Sequence, residues 1–322
     1  QPALSWQNAQ KRAKILQQIR QFFAERNIIE VETPALSQAT VTDVHLEALT
    51  CRYNFLADSS DQQSKPLYLQ TSPEFHMKRL LASGYGCIFQ IAKAFRHEEA
   101  GRYHNPEFTM LEWYRVGFDH CGLMGEVSDL LYVVLDCTQP TMKTYQDIFI
   151  EHINLDPLTA SREELIELIK SKNKLSDWLV EEGDNDILLQ FVFSEIIEPN
   201  IGKTAPCFVY NFPSSQASLA KLCPDDIRVA QRFECYYQGV ELVNGFNELT
   251  DYQVQLQRFQ EDNKKRKQQG LQEKTIDKNF IQAITCGLPQ CSGVALGVDR
   301  LIMLALKADH IKEAISFPVD QA

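Results

Sequence analysis

The stretch FRHEEAGRYHNPEFTMLEWY, residues 95 to 114, constrains the fold more than any other part of this chain. Apolar runs over 87–95 and 109–114 read as two strands, and the charged residues between them read as a loop. Near the other end lies GVALGVDR, residues 293 to 300, where Gly293, Ala295 and Gly297 alternate along a predicted strand. Side chains that small leave room for a ligand on one face of a strand. A final helix is expected after Arg300.

The remaining pattern is mixed. Ile15, Ile19, Phe22 and Phe23 are spaced for one face of a helix over 11–26. Ile28, Ile29 and Val31 read as a strand that stops at Thr33-Pro34, because proline has no amide to donate to a ladder. A polar hairpin loop is expected over 53–66, and Leu67 to Leu69 should return to the sheet. Ser72-Pro73-Glu74 opens a helix containing His76 to Leu81, with proline in the first turn, where its missing N–H costs nothing. Residues 122–137 read as an amphipathic helix. The segment 145–197 is helical and charged, with a capping box at Ser161 to Glu164, and reads as an insertion. Strands resume at 207–210, 232–237 and 240–246. No repeat or linker divides the chain, so a single domain over 1–322 is expected.

Composition sets limits on function. With 322 residues, 44% of them hydrophobic, the chain can bury a sizeable core. A formal net charge of -11 argues against affinity resting on a broad basic face for nucleic acid. The run Lys264-Lys265-Arg266-Lys267 reads as the solvated face of a helix. No apolar run approaches bilayer length, so no membrane partner and a cytoplasmic location are expected. The scattered cysteines lack the spacing of a zinc site, and read as reduced thiols.

The two motifs describe an ATP site. Binding a triphosphate for attack at its α-phosphorus requires planar, permanently charged donors, and a guanidinium matches phosphate oxygens as a bidentate fork. Arg96 and Arg300 are the candidates. Glu98, two residues after Arg96 on an alternating strand, would share its face and accept from the adenine amino group. Phe108 can stack on the base, and Asn105 can contact the nucleotide. Glu234 and Glu241 stand on consecutive predicted strands joined at Gln238-Gly239, and carboxylates with phosphate oxygens are natural Mg²⁺ ligands.

These stretches resemble motifs 2 and 3 of the class II aminoacyl-tRNA synthetases, with the nearest likeness to the lysyl enzymes. The N-terminal helix, strand and proline are similar to motif 1, which in that family forms much of a homodimer interface. The resemblance implies an α+β catalytic domain, an antiparallel β-sheet flanked by helices. It implies that Arg96 holds the α-phosphate and the substrate carboxylate while Arg300 contacts the γ-phosphate. His97, His104, Leu242 and Gly297 join the ATP set by the same likeness, with Glu241 shared between nucleotide and metal and Glu234 on the metal.

A lysine-like substrate presents two amines and a carboxylate, so its pocket should be acidic with an aromatic wall. Ser72, Pro73, Glu74, Glu112, Tyr114, Asn244, Phe246, Glu248 and Ala295 are the candidates. The likeness implies that Glu248 and Tyr114 receive the side-chain ammonium, with Glu74 and Glu112 beside the other amino group. Three departures from the lysyl enzymes stand out. No N-terminal β-barrel anticodon-binding domain is expected ahead of motif 1. Ala295 replaces the usual glycine and Ser72 the common alanine. Arg102-Tyr103 alters the motif 2 loop.

With these departures, the chain resembles the elongation factor P β-lysine ligases, a branch of lysyl-enzyme relatives that modifies a lysine of that translation factor. SQATVTDVHL at 37–46, EPNIGK at 198–203 and FPSSQASLA at 212–220 carry the likeness along with motif 2. It implies (R)-β-lysine, and more weakly α-lysine, as substrate, ATP and Mg²⁺ as cofactors, and elongation factor P rather than tRNA as acceptor. The alternatives are a minimal lysyl-tRNA synthetase acting on tRNA or another small acceptor, and a non-catalytic regulatory paralogue.

Overall fold

A computed structural model describes residues 1–53 and 65–322 of the chain. The fold is α+β, with predominantly antiparallel strands flanked by helices. The chain forms two compact units, one from 1–118 with 249–322 and the other from 119–248. The hairpin loop expected over 53–66 lies almost wholly outside the described residues.

In the first unit, the helix Trp6–Ala24 begins earlier than its apolar spacing suggests, because Ser5 caps it by accepting the Asn8 amide. Its buried stripe is Ile15, Ile19, Phe22 and Phe23, as the spacing predicts. Phe23 stacks on Phe89 at 4.3 Å between centroids and meets the edge of Trp113 at 5.3 Å. These contacts fasten the helix to the strands that carry the motif 2 residues. Burial of each such side chain stabilises by about 1.5–3 kcal/mol. Ile29–Glu30 runs parallel to Ile88–Phe95, which pairs antiparallel with Glu107–Val116, itself antiparallel to Cys291–Gly297.

Three expectations are corrected here. Leu67 to Leu69 belongs to the strand Lys65–Leu69, which pairs with Leu36–Ser37 and Thr50–Tyr53 in a separate small sheet rather than returning to the main one. The helix after motif 3 starts at Val298, so Arg300 lies inside its first turn. Pro73 is the residue preceding the helix Glu74–Ala82, and its φ of -77° suits that entry without occupying a helical position.

The second unit pairs Val240–Asn247 with Val229–Tyr237, then Cys207–Pro213, both antiparallel, and finally Thr141–Thr144 in parallel. The expected helical stretch is present as Tyr145–Ile153, Arg162–Ser171, Asp177–Glu181 and Asn185–Val192. The Ser161 capping box forms in both directions. Tyr145, Phe149, Phe193, Phe212 and Tyr236 centre its core. Gly202 is fixed by this packing: its φ is +64°, and a Cβ there would overlap the Tyr236 carbonyl.

The candidate active site

Motif 2 forms a long strand pair, and its end is set by proline. The last paired residues are Phe95 and Glu107. The next position would pair Arg96 with Pro106, but Pro106 can only accept, taking the Arg96 amide at 2.9 Å, so the ladder stops. Arg96 and Glu98 therefore lie beyond the strand, and the alternation expected to put them on one face does not apply. A tight turn brings them together instead. The Glu98 amide bonds the Arg96 carbonyl at 2.9 Å, and the two side chains approach to 3.9 Å. Arg96 also lies over the Phe108 ring, 5.2 Å from its centroid. The arginine side chain is 30% exposed and Glu98 37%, so both reach solvent. The His97 amide donates to the Glu47 carbonyl at 2.9 Å.

The rest of the loop holds Arg300. Its Nε donates to the Tyr103 carbonyl at 3.1 Å, and Nη2 stands 2.7 Å from His104 Nε2. Because a guanidinium can only donate, His104 must accept there and carry its proton on Nδ1. Burial and the Arg300 charge both hold the His104 pKa below its ordinary value. Asn105 is buried, its Nδ2 donating to the Glu107 carbonyl at 2.5 Å and its Oδ1 accepting the Val319 backbone amide at 3.0 Å. Its neighbours are thus chain atoms that shape the loop. Beside Arg300, Asp299 is 2% exposed, accepts the Thr109 amide at 2.6 Å and pairs with Arg12 at 2.7 Å. This ties the first turn of the motif 3 helix to the motif 2 strand. A Cβ on Gly297 would meet the Arg300 side chain at 3.5 Å, an ordinary contact, so these neighbours do not demand glycine.

The paired strands of motifs 2 and 3 set further candidates by register. Ala295 stands opposite Glu112 and Gly293 opposite Tyr114. Cross-strand partners project from the same face. Both Glu112 and Tyr114 are 2% exposed, and the Tyr114 hydroxyl donates to Glu112 Oε1 at 2.6 Å. In the preceding helix, the Glu74 carboxylate accepts from the buried Lys78 ammonium at 2.6 Å, a pairing the sequence reading missed. An i, i+4 spacing with lysine was its available signal. Ser72 Oγ accepts the Glu74 amide at 3.4 Å.

The remaining candidates stand in the second unit. Gln238 and Gly239 both have positive φ, 52° and 76°, as a two-residue hairpin turn of the favoured hand requires. Past the turn, Glu241 pairs with Tyr236 and Val243 with Cys235, so Leu242 is the extra residue of a β-bulge. Beyond it, Asn244 faces Glu234 and Phe246 faces Arg232. Glu234, Glu241, Asn244 and Phe246 consequently share one face. Glu234 is buried and accepts from Arg232, from the Tyr236 hydroxyl and from Asn244 Nδ2 at 3.3 Å. Burial pushes its carboxyl upward, Arg232 opposes this, and Glu241 adds to it. Glu248, 1% exposed, follows the strand in an isolated bridge with Ala220.

Among the described residues no three histidine, cysteine or carboxylate side chains gather as an all-protein metal cage. Mg²⁺ does not need one, since it takes one or two carboxylates and completes its shell with water and substrate phosphate. The Glu234 and Glu241 pair fits that requirement. The like charge between them is the repulsion a divalent cation relieves.

One residue of the basic run departs from the solvated face expected for it. Arg266 is 2% exposed, not solvated, because Glu47 and two carbonyls receive its guanidinium. No helix among the described residues is long and apolar enough to cross a membrane. A family model described as tRNA synthetases class II (D, K and N) matches residues 4–321. That family activates amino acids for ligation. The match covers nearly the whole chain and embraces both arginine motifs and the carboxylate hairpin, and on these grounds the chain belongs to the class II tRNA synthetases of the D, K and N type.

Proposed function

We propose that this chain is an AMP-forming ligase that activates (R)-β-lysine, and α-lysine more weakly, and transfers it to a lysine side chain of elongation factor P. The observation that carries the reading is the pairing of Ala295 with Glu112. A methyl group on the face of a buried acid narrows the space beside it. Overfilling a tight site costs about 1–3 kcal/mol if the ligand stays put, enough to favour a substrate whose amino group sits elsewhere. The resemblance assigns the distal ammonium to Glu248 and Tyr114, the other amine to Glu74 and Glu112, and further substrate contacts to Asn244, Phe246, Ser72 and Pro73.

In the first step the substrate carboxylate attacks the α-phosphorus of ATP in line, and pyrophosphate leaves. Arg96 holds the α-phosphate and the carboxylate, and Arg300, oriented by Tyr103 and His104, holds the γ-phosphate. Glu98, Phe108 and Gly297 accommodate the base and the nucleotide backbone, while His97, Asn105 and Leu242 shape the walls. Glu234 and Glu241 would hold Mg²⁺, which would supply neutralising charge for the leaving pyrophosphate. In the second step a deprotonated lysine amine of the acceptor attacks the adenylate carbonyl, forming an amide and releasing AMP. That amine ordinarily titrates near 10.4 and must first lose its proton. The reading takes 1–322 as one cytoplasmic catalytic domain and includes a homodimer through the motif 1 region.

Intact-mass measurement of elongation factor P and of bulk tRNA tests this, after incubation with the protein, ATP, Mg²⁺ and either lysine isomer. A gain of one lysyl unit on the factor, larger with the β isomer, is expected. Lysine on tRNA alone would make the chain a minimal synthetase, and no pyrophosphate exchange with either isomer would make it a non-catalytic paralogue.

A further inference from the structure

One glutamate outside the expected site links its most important turn to a distant helix. Arg266, in the helix Tyr252–Gln268, donates to Glu47 Oε2 at 2.9 Å, to the Asp43 carbonyl at 2.9 Å and to the Gln272 carbonyl at 2.8 Å. Lys274 donates to the other Glu47 oxygen. Lys274 is itself fixed by Asn263, which bonds its backbone amide and carbonyl at 2.8 and 2.9 Å. Thr42 adds a bond to Asp262 at 2.6 Å. The segment carrying Glu47 is therefore fastened along one helix at several points.

Glu47 faces two ways. Its side chain is held by the two cations, and its carbonyl accepts the His97 amide at 2.9 Å. His97 lies between Arg96 and Glu98, just where the ladder has ended at Phe95 and strand pairing no longer dictates direction. Burial pushes the Glu47 pKa up, but the bonds from Lys274 and Arg266 outweigh it and hold the carboxyl below its ordinary value, so the clamp stays charged at neutral pH.

We propose that Glu47 is a positioning residue for the nucleotide site: clamped by Arg266 and Lys274, it holds the His97 amide and so sets the direction in which Arg96 and Glu98 leave the strand. This rests on the assignment of Arg96 and Glu98 to ATP. A clamp that only stabilised the fold would alter melting while leaving ligand affinities in proportion. A positioning clamp acts most on the nucleotide, which both Arg96 and Glu98 are assigned to, and less on the amino acid, which is assigned Arg96 alone of the two.

The test uses the full chain with Glu47→Gln, Arg266→Met and both together, followed by deuterium exchange over 95–99 and calorimetric affinities for ATP and for lysine isomers. Faster exchange over 95–99 is expected in every variant. The ATP Kd should rise about tenfold, as slight misplacement of a binding group commonly costs that much or more. Lysine-isomer affinity should fall clearly less than ATP affinity, by no more than about threefold, and the double variant should be no worse than the worse single one, since both act through one linkage. Unchanged ATP affinity, parallel loss of both ligands, or additive losses would overturn the proposal. If Glu47→Gln fails to fold, because two buried cations lose their anion, Arg266→Met removes one of those cations and carries the test. A parent chain that binds no ATP would sink the functional assignment itself, a result distinct from a parent that binds and variants that bind equally.

Discussion

The two arginines of the first unit and the buried glutamate of the second are held in opposite ways. Arg96 is 30% exposed and steadied by a ring face and a loose ion pair, and Arg300 leans on a carbonyl and a histidine. Glu234 is buried under an arginine, a tyrosine hydroxyl and an amide, all from its own hairpin. The first arrangement keeps charge oriented yet accessible to an anionic ligand. The second uses the charge to organise the protein around it. Charged side chains thus stay accessible in one region and organise their own hairpin in the other, and stability should separate them where activity alone does not.

The largest effect should come from Arg96→Ala. Loss of a preorganised charged donor costs on the order of 10²–10³ in rate, about 3–4 kcal/mol, and pyrophosphate exchange measures it. The melting temperature should barely change, because the side chain is steadied rather than buried. A variant that unfolds would break the comparison from this side.

Glu234→Gln should act on the fold. It leaves Arg232 without its anion in a buried site, a loss of roughly 2–3 kcal/mol in urea unfolding. Glu241→Gln, by contrast, should leave the unfolding midpoint nearly unchanged while raising the Mg²⁺ concentration needed for exchange. Equal stability losses in the two variants would erase the distinction between a carboxylate that also organises the fold and one that does not.

Ala295→Gly probes the pocket more gently. Removing the methyl opposite Glu112 should shift the ratio of α-lysine to β-lysine use by about 1 kcal/mol, or roughly fivefold, towards α-lysine. An unchanged ratio would remove the physical basis for a substrate preference set by this position.

The smallest effect concerns pH. His76, His104 and His120 all have pKa values lowered chiefly by burial, with nearby arginines contributing at His76 and His104. The unfolded chain then binds protons first, so stability is complete above the ordinary imidazole value near 6.5 and falls as pH drops through the lower native values. A urea midpoint lower at pH 5.5 than at pH 7.5 is expected, by less than Glu234→Gln causes. Asn in place of His104 should diminish the difference.

Local chemistry was the legible part of this molecule. The Ser161 capping box, the buried stripe from Ile15 to Phe23 and the turn at Gln238-Gly239 each depend on neighbours within a few positions, and each forms as the residues suggest. Arg266 was not legible, because its burial depends on Glu47, 219 positions away, while the lysines around it give the local pattern of a wet surface. The Arg96 turn failed for a subtler reason. Period-two alternation holds only while a ladder lasts, and Pro106 ends it one residue too early. The separate sheet of Lys65–Leu69 was invisible for the same kind of reason, since strand partners are chosen by tertiary packing rather than by the strand's own composition.

The extra residue at Leu242 gives the carboxylate hairpin a dependence on arithmetic. Glu241 and Asn244 are three positions apart, an odd spacing that would send them to opposite sides of a regular strand, and the bulge restores them to the same side. Losing Leu242 would leave a spacing of two and keep the pair on one side without a bulge, whereas flattening the bulge with the residue retained would turn the acid away with every side chain of the motif still present. In an evolving lineage, therefore, a gap of one position at Leu242 would spare this hairpin, while a comparison that demands the same spacing would count it as damage.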